Sequence, residues 1–262
     1  MKKLWVVGLG SLLSFNSVRG AIYNGNGSTD FGGAVGTGSL QLTDNGTALS
    51  GTFTRGTGGQ GPGSFADILV IFIDSKTGGF SSTSGFTDAS SLLTKAISGL
   101  DGTGNRTIAD FPTSGFLADY AIALRPFSSV GSDQLYQLVN GGSHVMLGSV
   151  GLSPTATTSS STYTFNLNLS DLGMIAGQGG SFKFESSYVS SAGVHSLESF
   201  ETFTGDSEPQ NTVTFDTFHT YVTAVPEPTN QALAVFSGFV LVGVASTHLR
   251  RPLRRLVRLA RP

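Results

Sequence analysis

The stretch Ala66-Asp-Ile-Leu-Val-Ile-Phe-Ile73 is apolar at every position but one and rich in β-branched residues. Side chains along a strand alternate between faces. Ile71 and Ile73 therefore need cover on one side, and Val70 and Phe72 on the other. A continuous run of this kind is the signature of a strand buried on both faces. It demands a layer above and a layer below, and the rest of the chain has to supply them.

Period-two alternation shows where that cover comes from. Tyr163-Thr-Phe-Asn-Leu-Asn-Leu169 puts aromatic and aliphatic residues on one face and Thr164, Asn166 and Asn168 on the other. Phe182-Lys-Phe-Glu-Ser-Ser-Tyr188 and Val213-Thr-Phe-Asp-Thr217 repeat the pattern, and Leu49-Ser-Gly-Thr-Phe53 follows it more weakly. Asp119-Tyr-Ala-Ile-Ala-Leu124 and His144-Val-Met-Leu-Gly-Ser-Val150 read as further central strands. Asp44-Asn-Gly46 and Asn140-Gly-Gly142 are turn chemistry between strands. One helix is expected, capped by Asp88, with Leu92, Leu93, Ala96 and Ile97 on one face and Gly99 at its end. Ser170-Asp-Leu-Gly173 reads as a single turn. Many short strands, rich turns and one or two short helices predict an all-β fold, an antiparallel β-sandwich of jelly-roll-like form.

The chain has no cysteine. That excludes disulfide staples, cysteine nucleophiles and thiolate metal sites, so the core must hold itself together. Charge divides by region. Residues 21–225 hold six basic and sixteen acidic residues, a net of −10 that the arginine-rich ends conceal. A body this acidic is a poor nucleic-acid binder, and it leaves room for calcium.

The two ends differ from the body. Met1-Lys2-Lys3 is a positive start, Leu4 to Leu13 a short apolar segment, and Val18-Arg-Gly20 a cleavage region with Ala21 as the new N-terminus. Ten apolar residues are too few to anchor stably, so residues 1–20 read as a cleaved signal, a helix while in the membrane, with signal peptidase as partner. At the other end Val225-Pro-Glu-Pro-Thr229 stays extended, because Pro226 and Pro228 fix φ and remove two backbone donors. An uncharged apolar segment, about 231–249, approaches the length of a transmembrane helix. Arg250, Arg251, Arg254, Arg255, Arg258 and Arg261 follow and hold the C-terminus in the cytoplasm. The organisation is thus 1–20 signal, 21–224 sandwich domain and 225–262 tail.

Pro226-Glu227-Pro228, the apolar segment and the terminal arginines together resemble the PEP-CTERM sorting signal of Gram-negative bacteria that make extracellular polysaccharide. The resemblance covers roughly the last seventh of the chain. It implies an exosortase-type membrane protease as partner and cutting near the motif. It also implies passage through the inner membrane, transient anchoring by the tail, and a final place at the cell surface or outside. The tail continues through Leu253, Leu256, Val257 and Leu259, past the point where many such signals stop.

The body offers little for chemistry. His144, His195, His219 and His248 lack metal-ligand spacing, and no Gly-x-Ser-x-Gly elbow is present. No catalytic residue and no metal ligand is assigned, and no cofactor is expected beyond the room left for calcium. Asp67, Asp74, Asp119, Glu185, Glu198 and Glu201 could supply a glycosidase pair, although carboxylates flanking strands are usually solvated rim residues. Calcium would use Asp67 and Asp74, or Asp101 and Asp110 near glycine-rich turns. Phe80, Phe86 and Phe116 stand beside glycine or serine as candidate loop aromatics for sugar binding. The expected function is a non-enzymatic structural or adhesive role on or within extracellular polysaccharide. A carbohydrate-binding module and a secreted hydrolase are the alternatives.

The short apolar segment and the small residues behind it predict cleavage before about Ala21. N-terminal sequencing of exported protein should read from there, and a chain still beginning at Met1 would refute it.

Overall fold

The structure is a computed structural model and describes residues 19–58, 65–111, 115–126, 133–151, 156–205 and 210–225. The signal segment to Val18, Pro226-Glu227-Pro228, the segment about 231–249 and Arg250, Arg251, Arg254 and Arg255 lie outside the described residues. Among the described residues no helix is long and apolar enough to cross a membrane.

The strands, in chain order, are β1 (Arg19–Asn24), β2 (Ser39–Asp44), β3 (Ala48–Thr54), β4 (Ile68–Asp74), β5 (Ile108–Asp110), β6 (Tyr120–Leu124) and β7 (Asp133–Gln137). They continue with β8 (Val145–Ser149), β9 (Thr162–Asn168), β10 (Gly180–Val189), β11 (Phe203–Gly205), β12 (Thr212–Phe215) and β13 (His219–Thr223). One helix, α1 (Leu92–Ser98), and two 3₁₀ turns, Thr83–Gly85 and Leu169–Leu172, complete the described elements.

The chain is mostly β, and its main sheets are antiparallel. One sheet has the order β1-β2-β3-β9 and a central one the order β13-β10-β4-β6-β7-β8. A small third sheet, β11-β12-β5, contains a parallel pair, β12 with β5. Chain neighbours mostly stay in one sheet, as in paired meanders, where a jelly roll would pass successive strands between layers.

β4 is the two-sided strand that its sequence demands. Leu69, Ile71 and Ile73 pack into a first core with Leu40, Phe53 and Phe165 of the four-stranded sheet. Ile68, Val70 and Phe72 pack into a second core with Leu93 and Ile97 of α1 and Val213 and Phe215 of β12. β6 is likewise buried at every position. In β3, Gly51 lies opposite Phe165, and a Cβ there would come within 2.0 Å of the Phe165 ring. The glycine leaves the space into which that ring packs.

Three expectations are corrected. α1 is capped by Ser91, whose hydroxyl accepts from Thr94 N at 3.1 Å while Ser91 N donates back to Thr94 Oγ1 at 3.0 Å. Asp88 stands too far before the first turn to cap it, and its carboxylate instead accepts from Ser90 N and His144 N. Gly99 ends the helix in the left-handed conformation, as expected. β8 is an edge strand rather than a central one, and Val145, Met146 and Leu147 are exposed. Apolar β-rich composition specifies a strand but not its place in the sheet order. β10 alternates in sequence, yet from Phe184 onward a core covers each of its faces, so Glu185 and Ser187 are as buried as Phe184.

Ile71→Asp should prevent folding. It buries an unpaired charge at a cost of several kcal/mol against a total stability of about 5–15 kcal/mol. Circular dichroism and thermal melting would show no cooperative transition, and an unchanged melt would put β4 elsewhere.

Candidate functional site

The polar residues that alternation would send to solvent on β10 form a buried cluster instead. Glu185 lies opposite Phe72 and Ser187 opposite Val70, so both face the second core. Ser186 lies opposite Ile71 and faces the first. Past Val189 the chain turns and runs back beside β10. Ser196 N donates to Tyr188 O and Tyr188 N to Glu198 O. This return brings His195, Ser196, Glu198, Ser199 and Glu201 into the interior.

Each member has a different task. Glu198 is a structural acceptor. Its Oε1 accepts from Phe31 N at 2.7 Å and Gly33 N at 2.8 Å, and its Oε2 from Val35 N at 2.9 Å and Gly36 N at 3.2 Å. One carboxylate thus fixes the whole 31–36 loop. Glu201 Oε2 accepts from Ser186 N at 2.9 Å and Ser186 Oγ at 2.8 Å, and burial pushes its carboxyl up to about 8. Neither Glu185 oxygen has a hydrogen-bond partner. Burial first, then the charges of Glu201 and Asp74, push that carboxyl up to about 10. His195 Nδ1 is 3.0 Å from Ser187 Oγ, and complete burial pulls the ring down to about 4.

Of the six candidate glycosidase acids, the structure brings Glu185 and Glu201 near each other. Both are sealed, at 0 % and 2 % exposure, which gives a polymer no access to them. The other four acids are occupied elsewhere, Glu198 by the 31–36 amides. Asp119 accepts from Ser75 N and Lys76 N, Asp74 pairs with Lys183, and Asp67 accepts from Ser191 N. Asp67 and Asp74 flank opposite ends of β4 and do not converge on one ion. The Asp101 carboxylate is taken by its own loop, accepting from the backbone of Thr103, Gly104 and Asn105 and from the side chains of Thr103 and Asn105. Those bonds hold its carboxyl down at about 2. Among the described residues no group of three or more His, Asp or Glu side chains is placed to hold a metal. Sequence reasoning missed the cluster because Glu185 and Ser187 sit in a half-polar alternation that reads as an exposed face.

The candidate loop aromatics are corrected as well. Phe86 and Phe116 are fully buried in the second core and Phe80 packs against it. Glycine and serine beside them shape turns that carry the rings inward. His144 is also structural, with Nδ1 accepting from Val139 N and Nε2 3.1 Å from Ser98 Oγ.

The most regular exposed surface is the outer face of the four-stranded sheet. Thr162, Thr164, Asn166 and Asn168 of β9 point outward. Across them lie Thr54, Thr52 and Ser50 of β3, then Ser39, Gln41 and Thr43 of β2. Gln41, Thr52 and Thr164 form one cross-strand row. Ile22 and the small residues Gly20 and Ala48 interrupt the pattern, and no charged side chain enters it between β2 and β9. The expected cleavage site, Gly20 and Ala21, lies within β1, where Arg19 and Gly20 pair with Asp44 and Thr43.

Comparison of the chain with family models, with curated proteins and with solved structures finds no match.

The cluster predicts how stability depends on pH. The folded state holds Glu185 and Glu201 protonated above the ordinary carboxylate value of 4.5. Their contribution is complete below 4.5 and is lost as pH rises through about 8 and about 10. His195 acts oppositely, losing its contribution as pH falls from 6.5 to about 4. Above 6.5 the two carboxyls act in the same direction, each losing its contribution as it ionises. The melting temperature should therefore fall between pH 6.5 and pH 10, and Glu185→Gln or Glu201→Gln should flatten the fall. A wild-type melt independent of pH in that range would refute it.

Proposed function

We propose that this chain is an exported cell-surface or matrix protein whose sandwich domain works without catalysis. Its role is structural or adhesive within extracellular polysaccharide. The observation that carries this reading is the uncharged hydroxyl and amide face of the four-stranded sheet, set on a body of net charge −10. Such a face offers many donors and acceptors to a hydroxyl-rich neutral polymer, each contact weak and the sum considerable. A carbohydrate-binding module is the second reading, and the same face favours it.

Delivery follows from the ends of the chain. Signal peptidase removes residues up to about Gly20. The helix about 231–249 and the arginines hold the tail at the inner membrane, and an exosortase-type protease cuts near Pro226-Glu227-Pro228. The protein then reaches the surface or the exterior. Glu198 and Glu201 work as structural acceptors, and neither calcium nor any cofactor enters the proposed role.

Exported protein should co-sediment with neutral insoluble polysaccharide. Gln41→Glu with Thr52→Glu should lower the bound fraction several-fold, since each lost hydrogen bond costs about 1 kcal/mol. Equal retention of variant and parent would remove this face from the role. Mass spectrometry of the mature C-terminus, in hosts with and without the exosortase, tests delivery separately. An intact Arg261-Pro262 end on functional surface protein would replace sorting with simple anchoring.

A further inference from the structure

At one end of the β4–β10 pair, a lysine and an aspartate are direct register partners, Lys183 with Asp74. Lys183 Nζ lies 3.3 Å from Asp74 Oδ2. The geometry is held from both sides. The amine also donates to Gly115 O and stands 5.1 Å from the centre of the Phe218 ring. Asp74 Oδ2 also accepts from Leu117 N at 3.3 Å, and the side chain is only 15 % exposed. Two residues along β10, on the same face, is Glu185, buried and with both oxygens unpartnered.

An ion pair at this distance usually remains an ion pair. The unusual feature is the unpartnered acid beside it. A buried carboxyl without hydrogen bonds is costly to keep. Nothing in its surroundings uses it as a structural acceptor, in contrast to Glu198 and Glu201. Asp74, the partner of Lys183 one pair further along, lies diagonally across from it on the same face, and its charge is one of those that push the Glu185 carboxyl up.

We propose that Lys183, Asp74 and Glu185 form a self-modifying site, in which the Lys183 amine condenses with the Asp74 carboxyl to make an amide cross-link between β10 and β4. The proton of the ammonium passes to the Asp74 carboxylate, leaving an amine and a carboxylic acid. The nitrogen lone pair adds to Cγ of Asp74. Glu185 gives its proton to the departing hydroxyl and takes one from the nitrogen, ending as it began. One C–N bond forms, one C–O bond breaks and one water leaves. No oxidant, metal or cofactor is needed. Fixed proximity gives the amine and the acid a high effective concentration and lowers the barrier that the free groups meet in water, because they are already aligned. The water departs through an open recess of about 320 Å³ lined by Asp74, Ser75, Lys76, Ser181 and Lys183.

The cross-link would join residues 109 positions apart. It would tie two inner strands of the six-stranded sheet in a cysteine-free domain, doing by amide what disulfides do in other proteins. This inference does not depend on polysaccharide binding and would survive its failure.

The test is mass spectrometry of the full-length protein. Its intact mass, corrected for termini fixed by peptide mapping, should be lower than the sequence mass by one water. In the denatured chain trypsin should fail to cut after Lys183, and a branched peptide should join the segments holding Lys183 and Asp74. Lys183→Arg and Asp74→Ala should restore the sequence mass. Glu185→Gln, with the fold checked by circular dichroism, should slow cross-linking by about a hundredfold or more, the effect of losing one proton-transfer group. A wild-type mass equal to the sequence, with normal cleavage after Lys183, overturns the proposal and needs no variant to fold. Cross-linking at an unchanged rate in Glu185→Gln would overturn the part given to that acid.

Discussion

The central sheet has to be covered on both faces, and the rest of the molecule is arranged around that need. β4 and β6 carry apolar side chains above and below the sheet. The four-stranded sheet closes one side, and α1 with the small β11-β12-β5 sheet closes the other. Burial of large apolar side chains is worth about 1.5–3 kcal/mol each. Without disulfides this burial is the main source of stability, so neither cover can be dispensed with.

The same constraint explains the buried acids. Between Phe184 and Val189 both faces of β10 are covered, so Glu185, Ser186 and Ser187 are taken inside, while Ser181 and Lys183 nearer its start keep exposure. Glu198 and Glu201 find backbone or hydroxyl donors, which compensates for their lost hydration. Glu185 does not, and it remains neutral instead. The 194–201 return segment follows from this arrangement. It pairs with β10 beyond the end of β13 and carries the carboxylate that fixes the 31–36 loop. The layers are further joined at their edge, where Tyr221 of β13 donates to Asp44 Oδ2 of β2 at 2.7 Å.

Surface and interior therefore divide the polar residues by type. Hydroxyls and amides dominate the outer face of the four-stranded sheet, while several of the carboxylates are spent inside on backbone donors. A face without charge on an acidic body neither attracts nor repels ions strongly.

Several features were legible from residues alone. The two-sided run Ala66–Ile73 determined a central buried strand. Thr162–Asn168 determined a half-exposed one, and Gly99 and Gly173 determined the ends of short helical segments. These are local consequences of side-chain period and of left-handed backbone, which need no knowledge of neighbours. Tertiary structure alone decided that β8 is an edge, that Glu185 is buried and that Phe86 and Phe116 point inward. It also placed Lys183 opposite Asp74, and Glu198 against the amides of a loop more than 160 residues earlier. Sheet order and register are set by pairings between distant segments, whose energies depend on partners that no local pattern names.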